Sequence, residues 1–519
     1  MAKTYDLSDS SVIVVVGSGA GGGTLSNELA QRGIDVVCLE AGPRLGLSDI
    51  TNDWGVMYNR LTWLDKRIGT GDLNPTAPLW VCKTVGGTTV HWAGAALRFQ
   101  EHEFKARTTY GDLSGANLLD WPLSYDELAP FYDRAEDKMG VTGTHGLPRL
   151  PGNNNYKVLA AGAKHVGYTE VHTGNMAINP VERDGRPACH QIGFCMAGCA
   201  IGAKWSTLYT EIPKAEETGH FELRSQSMVL KINHDTSGKV TGVVYADKDG
   251  TVHEQKARAV CVAGNAVETP RLLLNSASSK YPDGLANSSG QVGRNFMRHM
   301  TGTVFAIMPG RVNFERGTQM AGIVKDEARH DPRRGFVAGY EMETLPGFGL
   351  TGLATNLVPG AWGRDYARVL DMYDHFAGMW LVGEDMPQQS NGVTLHGTEK
   401  DQYGLAAPIV HFKDHENDFA MRNHAFKAGT AIYQSLGATE VFELPPFPST
   451  HNMGTCRQAE NPRDGVCNKY GQAHDVPNLF ISDGSQFTTS GAENPTLTIV
   501  ALSIRQAGYI AERMSRGDV

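Results

Sequence analysis

The feature that most constrains this chain lies near its N terminus, where residues 11–44 read "SVIVVVGSGAGGGTLSNELAQRGIDVVCLEAGPR". An apolar run, a glycine turn, a helical stretch and a second apolar run ending in Glu40 are typical of a βαβ unit. Gly17, Gly19 and Gly22 form G-x-G-x-x-G between the first strand and the helix. Backbone N–H groups at such a turn can approach a pyrophosphate, and Glu40 can accept hydrogen bonds from an adenosine ribose. The pattern predicts a dinucleotide site without choosing FAD or NAD, and the alternative is a tight turn without a ligand.

Later segments repeat the alternation of strands and helices. Residues 227–265 alternate apolar and polar side chains around two turns, which predicts three antiparallel strands ahead of a buried strand at 259–263. "VETPRLLLNSAS" predicts a helix, and near the C terminus a short buried strand precedes a helix with Pro495 in its first turn. The nucleotide domain is thus predicted from residues 1–110, 220–310 and 440–519. A substrate domain, residues 111–219 and 311–439, lies between these segments.

Composition excludes several classes of partner. The chain has 519 residues, 41% of them hydrophobic, so it can bury a large core divided into two or three domains. Its net charge is -9 and neither sign forms a long run, which argues against nucleic acid or an anionic membrane and favours a small-molecule substrate. We see no export signal or membrane-spanning run, so the default expectation is a cytoplasmic protein without direct membrane insertion.

Three of the eight cysteines lie together, as Cys189, Cys195 and Cys199 in "CHQIGFCMAGCAIGA". The glycines interleaved with them would let the backbone wrap a compact inorganic group and offer N–H donors to its sulfurs. A zinc ion would need a fourth ligand, and His190, adjacent to Cys189, is poorly placed for it. A disulfide with a free thiol does not suit a chain without an export signal. The residues leave an iron–sulfur cluster, zinc and metal-free thiols open.

Four further motifs carry a resemblance to a known family. They are "VGGTTVHWAGAALRF" at 85–99, "GNAVETPRLLLNS" at 264–276, "HNMGTCR" from His451, and "NLFISDGSQFTTSGAENPTLTIVAL" near the C terminus. Together, and in this order, they resemble the glucose-methanol-choline (GMC) oxidoreductases, which bind FAD. The resemblance implies an α/β fold in which a Rossmann-like FAD-binding domain carries an inserted α+β substrate domain.

The resemblance also implies which residues hold the cofactor. The loop with Gly86, Gly87 and Thr88 would pass close to the isoalloxazine ring, and Asp483 would hold the ribityl or pyrophosphate part. His91 matches the place where some relatives attach the flavin covalently through histidine, whereas others keep the histidine without the bond.

The expected chemistry is removal of a hydride from an alcohol carbon, for which the hydroxyl proton must leave to a nearby base. A histidine suits this role because its pKa can lie near the operating pH. His451 and Asn494 match the catalytic pair of the family, with His451 as the base and Asn494 as its hydrogen-bonding partner. Asn494 can also be interpreted as a helix cap ahead of Pro495.

The cysteine segment resembles a subgroup, the bacterial FAD-dependent glucose, gluconate and fructose dehydrogenases and related glycoside 3-dehydrogenases. In them three such cysteines hold a [3Fe–4S] cluster. The resemblance implies a sugar or glycoside dehydrogenase that passes electrons through the cluster to a cytochrome c. It also implies a small companion subunit whose twin-arginine signal carries the chain to the periplasm. The alternatives are an oxygen-using sugar or alcohol oxidase, a flavin-containing lyase on the same fold, and a zinc-stapled nucleotide-binding protein without redox activity.

Overall fold

Four sheets and eleven helices build the part of the chain that the computed structural model describes, residues 3–320, 322–347, 349–446 and 450–519. The strands are β1 (Ile13–Val16), β2 (Val36–Leu39), β3 (Ile68–Gly71), β4 (Val171–Thr173), β5 (Phe221–Arg224), β6 (Met228–His234), β7 (Val240–Ala246), β8 (Val252–Lys256), β9 (Ala259–Val262), β10 (Met300–Ile307), β11 (Gly322–Val324), β12 (Tyr340–Thr344), β13 (Phe376–Gly383), β14 (Gly392–Lys400), β15 (Ala406–Phe412), β16 (Glu440–Leu444) and β17 (Leu479–Ile481). The helices are α1 (Ala20–Ala30), α2 (Trp54–Leu61), α3 (Ala106–Tyr110), α4 (Tyr125–Met139), α5 (Asn154–His165), α6 (Glu211–Glu217), α7 (Asn265–Asn275), α8 (Leu350–Leu357), α9 (Arg364–Asp371), α10 (Glu416–Gln434) and α11 (Thr496–Ser515).

A five-stranded parallel sheet with the order β17-β9-β1-β2-β5 contains the predicted βαβ unit, which is confirmed. Its central strand β1 is buried on both faces, which explains its continuous apolar sequence. Ile13 and Val15 pack in the core with α1, whereas Val14 and Val16 pack against β6 and β7. The antiparallel sheet β6-β7-β8 and the helix α7 also follow the predicted pattern.

The parallel sheet gathers the carboxyl ends of its strands along one edge. The glycine turn follows β1, Glu40 follows β2, Ala263 follows β9 and Asp483 lies two residues beyond β17. From β1 the chain moves to β2 on one side and later returns to β9 on the other, so the strand order reverses at β1. Ligands of open α/β sheets bind in the crevice at such a reversal.

A six-stranded sheet, β16-β10-β13-β12-β11-β4, is antiparallel throughout and faces the first sheet. It supports a second core in which α5 and α10 pack against its strands. Two of its strands, β10 and β16, come from the segments 220–310 and 440–519 that the sequence assigned to the nucleotide domain. The division into domains stays a prediction, but this sheet draws strands from both predicted units.

The C-terminal helix α11 joins the nucleotide-binding half to the rest of the chain. It packs against α1 and α4, and most of its residues between Leu497 and Ile510 are buried. The sequence predicts Pro495 in its first turn and offers Asn494 as its cap, whereas the structure places Pro495 itself at the N-cap position, directly before Thr496. Within the described residues, none of the helices has the length and apolar character needed to cross a membrane.

Replacing Gly17 with alanine should destabilise the protein through two effects. Gly17 has φ +97°, and a Cβ there would lie 2.4 Å from the carbonyl oxygen of Ala263. We expect a loss of more than about 1 kcal/mol in the free energy of unfolding, measured as a lower melting temperature. Gly185→Ala is the control, since Gly185 has φ +68° but open space around it. Equal melting temperatures for the two variants would contradict the close approach of the turn to β9.

Candidate active site

A single long cavity runs between the edge of the parallel sheet and the six-stranded sheet. Its empty volume is ≈ 2000 Å³, including the part open to solvent. Its lining runs from the glycine turn after β1 to Thr303 and Trp380 of the six-stranded sheet, so the cavity is extended. Nine of the predicted site residues line it: Gly17, Gly19, Glu40, Gly87, Thr88, His91, His451, Asp483 and Asn494.

The glycine turn is organised around Ser18. Its backbone N–H and its hydroxyl donate to one oxygen of Glu40, at 3.1 and 2.7 Å, and the N–H of Gly42 donates to the other at 2.9 Å. Burial raises the pKa of Glu40, and these hydrogen bonds oppose that rise. Gly22 lies behind the cavity wall, where a Cβ would come 2.0 Å from the carbonyl oxygen of Gly17. Its role here is to let α1 pack against the turn.

The second glycine loop packs directly on the first. The N–H of Gly86 donates to the Ser18 hydroxyl at 3.0 Å, and a Cβ on Gly87 would lie 3.0 Å from the Cα of Gly19. Thr88 follows in the cavity wall. The two loops therefore form one continuous backbone surface along the cavity.

His91 lies at the end of this loop and is buried. Its ring stacks on Trp80, with centroids 4.3 Å apart. Nε2 has no hydrogen-bond partner among the described residues. Burial lowers the pKa of His91 to about 3, so the ring is neutral at the cavity wall.

Asp483 links the C-terminal segment to the helix after β9. One carboxylate oxygen accepts from the N–H of Asn265 at 2.8 Å and from the Thr269 hydroxyl at 2.5 Å, and the other accepts from the N–H of Ser485 at 2.8 Å. Burial raises the pKa of Asp483. The residue therefore fixes the start of α7 and also faces the cavity.

The structure brings His451 and Asn494 to the same cavity, although a stretch of 42 positions separates them in the sequence. The His451 ring meets Trp380 edge-on, with centroids 5.1 Å apart. Burial lowers the pKa of His451 well below its ordinary value, so the neutral ring can accept a proton. Asn494 is buried, and its side-chain oxygen has no hydrogen-bond partner among the described residues. A neutral base and an amide oxygen that can still accept, both at one cavity wall, suit proton removal from an alcohol.

Sequence motifs did not indicate one residue that contacts His451. His299, directly ahead of β10, places its Nδ1 2.9 Å from Nδ1 of His451. The only available signal was a histidine before an apolar strand. The wall at the His451 end was also missed. Met196 lies in the cysteine motif, which gave no sign that it reaches the cavity, and the other four residues belong to no motif: Thr303, Met320, Leu345 and Trp380.

The three predicted metal ligands lie beside the cavity and do not line it. Cys189, Cys195 and Cys199 are reduced and partly exposed, and Met196 between them reaches the cavity wall. Backbone N–H groups point at two of the sulfurs, from Gln191 to Cys189 at 3.4 Å and from residue 204 to Cys199 at 3.5 Å. Burial raises the pKa of Cys195 to about 11.

The spacing of the sulfurs bears on the zinc alternative. Among the described residues, one group of three metal-ligand atoms lies within 4.8 Å of one another, and it is Asp133, Glu136 and His145. The sulfurs of the three cysteines do not all lie within 4.8 Å of one another, whereas the ligands of a single tetrahedral zinc ion must. In an iron–sulfur cluster the cysteines bind different irons, so their sulfurs stand further apart. The cysteines therefore form no ready-made tetrahedral zinc site in the described residues, and the cluster stays a prediction.

A buried lysine joins the cysteine segment to the loop that carries His91. The Lys204 ammonium donates to the carbonyl oxygens of Cys195 at 2.5 Å and Val90 at 3.0 Å, and also to that of Trp92. Burial lowers the pKa of Lys204 to about 8. This contact holds the cysteines against the loop that carries His91.

Comparison with known proteins agrees with the geometry. Family profiles described as GMC oxidoreductase match residues 5–301 and 387–503. The chain is 36% identical to 2-methyl-1,2-propanediol dehydrogenase of Mycolicibacterium austroafricanum, over 98% of this chain and 96% of that protein. It is 30% identical to the fructose dehydrogenase large subunit of Gluconobacter japonicus, over 97% and 98%. Pyridoxine 4-oxidase from Mesorbium loti superimposes with a TM-score of 0.70 at 18% identity, over 97% and 99%. The chain belongs to the GMC oxidoreductase family and is an FAD-dependent enzyme that oxidises CH–OH donors.

Proposed function

We propose that this enzyme is a dehydrogenase that oxidises a small alcohol or diol, with His451 as the base. The observation that carries the proposal is the neutral, half-buried His451 at the apolar end of a cavity whose other end is a dinucleotide site. FAD, when bound, accepts the hydride from the alcohol carbon. The glycine turn, Glu40 and Asp483 would hold it, together with the second glycine loop.

The chain's own residues then perform the proton chemistry. His451 removes the hydroxyl proton, and the side-chain oxygen of Asn494 accepts no hydrogen bond from the described residues, so it can orient the substrate. The indole of Trp380 packs edge-on against the His451 ring. Apolar surroundings disfavour the charged form of the ring, which keeps the base neutral until the substrate arrives.

The wall at the His451 end favours a substrate with few hydroxyl groups. Met196, Met320, Leu345 and Trp380 present apolar surface there, and Thr303 contributes a buried hydroxyl without a partner among the described residues. Each hydroxyl of a sugar would need its own hydrogen-bonding group, because an unpaired one is costly to bury. The name of the Mycolicibacterium relative contains a branched diol. Such a diol has few hydroxyl groups that need hydrogen-bonding partners, so it suits this wall better than a sugar does.

A sugar is the second candidate, as the sequence predicts. It is favoured by the fructose dehydrogenase relative and by two indole rings, Trp92 and Trp380, which can pack against the apolar face of a pyranose. The same His451 and Asn494 would serve either substrate.

We further propose that Cys189, Cys195 and Cys199 hold a [3Fe–4S] cluster. Such a cluster carries single electrons, which suits a dehydrogenase with a protein acceptor better than an oxidase. A cytochrome c acceptor and a companion subunit belong to this proposal, and the name "large subunit" of the Gluconobacter relative supports the second. Periplasmic location through that companion is likewise proposed.

One anaerobic experiment tests substrate and electron path together. Purified enzyme is mixed with 2-methyl-1,2-propanediol, fructose or a methyl glucoside. Flavin absorption at about 450 nm and the EPR signal of an iron–sulfur cluster are then measured. We expect the diol to bleach the flavin at a lower concentration than the sugars do. The EPR signal should change at the same time, because the cluster is reduced. Bleaching by sugars alone would make the sugar the substrate, and no bleaching by any alcohol would favour the lyase.

Variants of the cysteines separate the cluster from the flavin chemistry. Cys195→Ser should lower the iron content while flavin bleaching continues, whereas Cys261→Ala, in the buried strand β9, should leave the iron content unchanged. Protein free of iron that reduces cytochrome c at the full rate would overturn the electron path. Rapid reoxidation by oxygen would favour an oxidase.

The base assignment predicts a particular pH dependence. Because burial lowers the pKa of His451, the base stays unprotonated as the pH falls through about 6.5, the ordinary value for histidine. The rate of flavin reduction, measured by stopped flow, should therefore decline only below that pH.

His451→Ala should slow flavin reduction about 100- to 10,000-fold with FAD still bound. His474→Ala, whose ring contacts the Ala459 carbonyl, is the control, and a full rate in His451→Ala would refute the assignment.

His91 provides a test of covalent flavin. Its buried Nε2 lines the cavity without a partner among the described residues, so it is the atom available for a bond to the flavin. We expect the wild-type flavin to stay with the protein after acid precipitation, and His91→Asn to release it into the supernatant. A colourless wild-type pellet would mean that His91 only packs against Trp80.

A further inference from the structure

The contact between His299 and His451 joins two ring nitrogens, so it contains a single proton. The two Nδ1 atoms lie 2.9 Å apart, and the rings are nearly perpendicular at 88°. His299 is buried and His451 is half-buried at the cavity wall, and burial lowers the pKa of both rings, so both are neutral. In a neutral imidazole one nitrogen carries a proton and the other accepts, so one histidine must donate and the other accept.

The second nitrogen of His299 decides the direction. Its Nε2 lies 3.0 Å from the carbonyl oxygen of Ser490. A carbonyl oxygen can only accept, so Nε2 of His299 carries the proton. Nδ1 of His299 is then the acceptor, and Nδ1 of His451 donates to it. The proton of His451 is thereby placed on Nδ1, which leaves Nε2 as its basic nitrogen.

The backbone at His299 is unusual for a residue with a side chain. His299 has φ +68°, in the left-handed region, directly before the extended strand β10. Residues other than glycine occupy this region at a cost and tend to do so where a site imposes their geometry. Ser490 lies in the same loop as Asn494, so His299 ties His451 to the segment that carries its catalytic partner.

We propose that His299 is a positioning residue that fixes the tautomer and the orientation of His451. The inference deepens the proposed function and rests on His451 being the base. In the reaction the substrate O–H bond breaks, its proton forms a new N–H bond at Nε2 of His451, and the hydride leaves the carbon for FAD. The imidazolium formed then donates from Nδ1 to His299, which stabilises its charge. An acceptor behind the catalytic histidine has the function that a carboxylate has in a Ser-His-Asp triad.

Three substitutions at His299 separate this role from packing. In His299→Asn the amide oxygen lies near the former Nδ1, so it can still accept from His451. In His299→Gln the amide group lies near the former Nε2 and cannot reach His451. His299→Leu fills the space without a hydrogen bond. We expect the rate of flavin reduction to fall about 100-fold or more in the Gln and Leu variants, and about 10-fold or less in Asn, with KM little changed.

A spectroscopic measurement makes the test independent of turnover. Flavin-loaded protein with ¹⁵N-labelled histidine is studied by NMR, and the His451 signals are assigned by their loss in His451→Gln. We expect wild-type His451 to be protonated on Nδ1 and unprotonated on Nε2, and a mixture of tautomers in His299→Leu. Melting temperature and FAD absorption show whether each variant is folded.

Two results would overturn the proposal. One is a wild-type His451 that carries its proton on Nε2, and the other is a folded His299→Leu variant with the wild-type tautomer and rate. If only the base assignment fails, His451→Gln reduces flavin at the wild-type rate while the NMR tautomer still depends on His299.

Discussion

The pairing of β1 with a strand on each side is the constraint on which the site depends. β2 and β9 hydrogen-bond to its two edges in parallel, and apolar cores cover both of its faces. Since the strands are parallel, every turn that follows a carboxyl end opens on the same crevice. The chain therefore gathers Gly17, Glu40, Ala263 and Asp483 from distant sequence positions without a contact that spans them all.

The residues that the sequence could predict are those that follow a strand or belong to a contiguous motif. Gly17 and Glu40 could be predicted as site residues because a local apolar pattern fixes the ends of β1 and β2. His451 and Asn494 could be predicted as catalytic residues only because their motifs resemble those of the family. Their meeting in one cavity depends on how three separated segments assemble, and nothing local in the sequence specifies that.

The parts that were missed depend on pairing between distant strands. Thr303 and Trp380 stand side by side in the cavity wall because β10 pairs with β13 in a register that matches these two residues. The sequence around each shows only an apolar strand, so neither could be identified as a wall residue. His299 was hidden for the same reason. Non-local register thus decides substrate fit, whereas local pattern decides cofactor binding.

Burial explains both how the base is kept ready and why it needs support. A histidine with a lowered pKa is neutral and ready to accept a proton, but it is also a weaker base. His451 is in this position, so its imidazolium must be stabilised when it forms, and the His299 acceptor supplies part of that stabilisation. The charge of Glu493 raises the pKa of His299 itself, against the effect of burial.

The cysteine segment extends this arrangement towards the surface. Lys204 ties Cys195 to the loop ahead of His91, while the cysteines themselves are partly exposed. An enzyme that passed its electrons to oxygen at the flavin would gain nothing from three cysteines with backbone N–H donors beside the cavity wall. The proposed dehydrogenase with a protein acceptor would use a relay at such a place, because its electrons could then leave without opening the substrate end of the cavity to solvent.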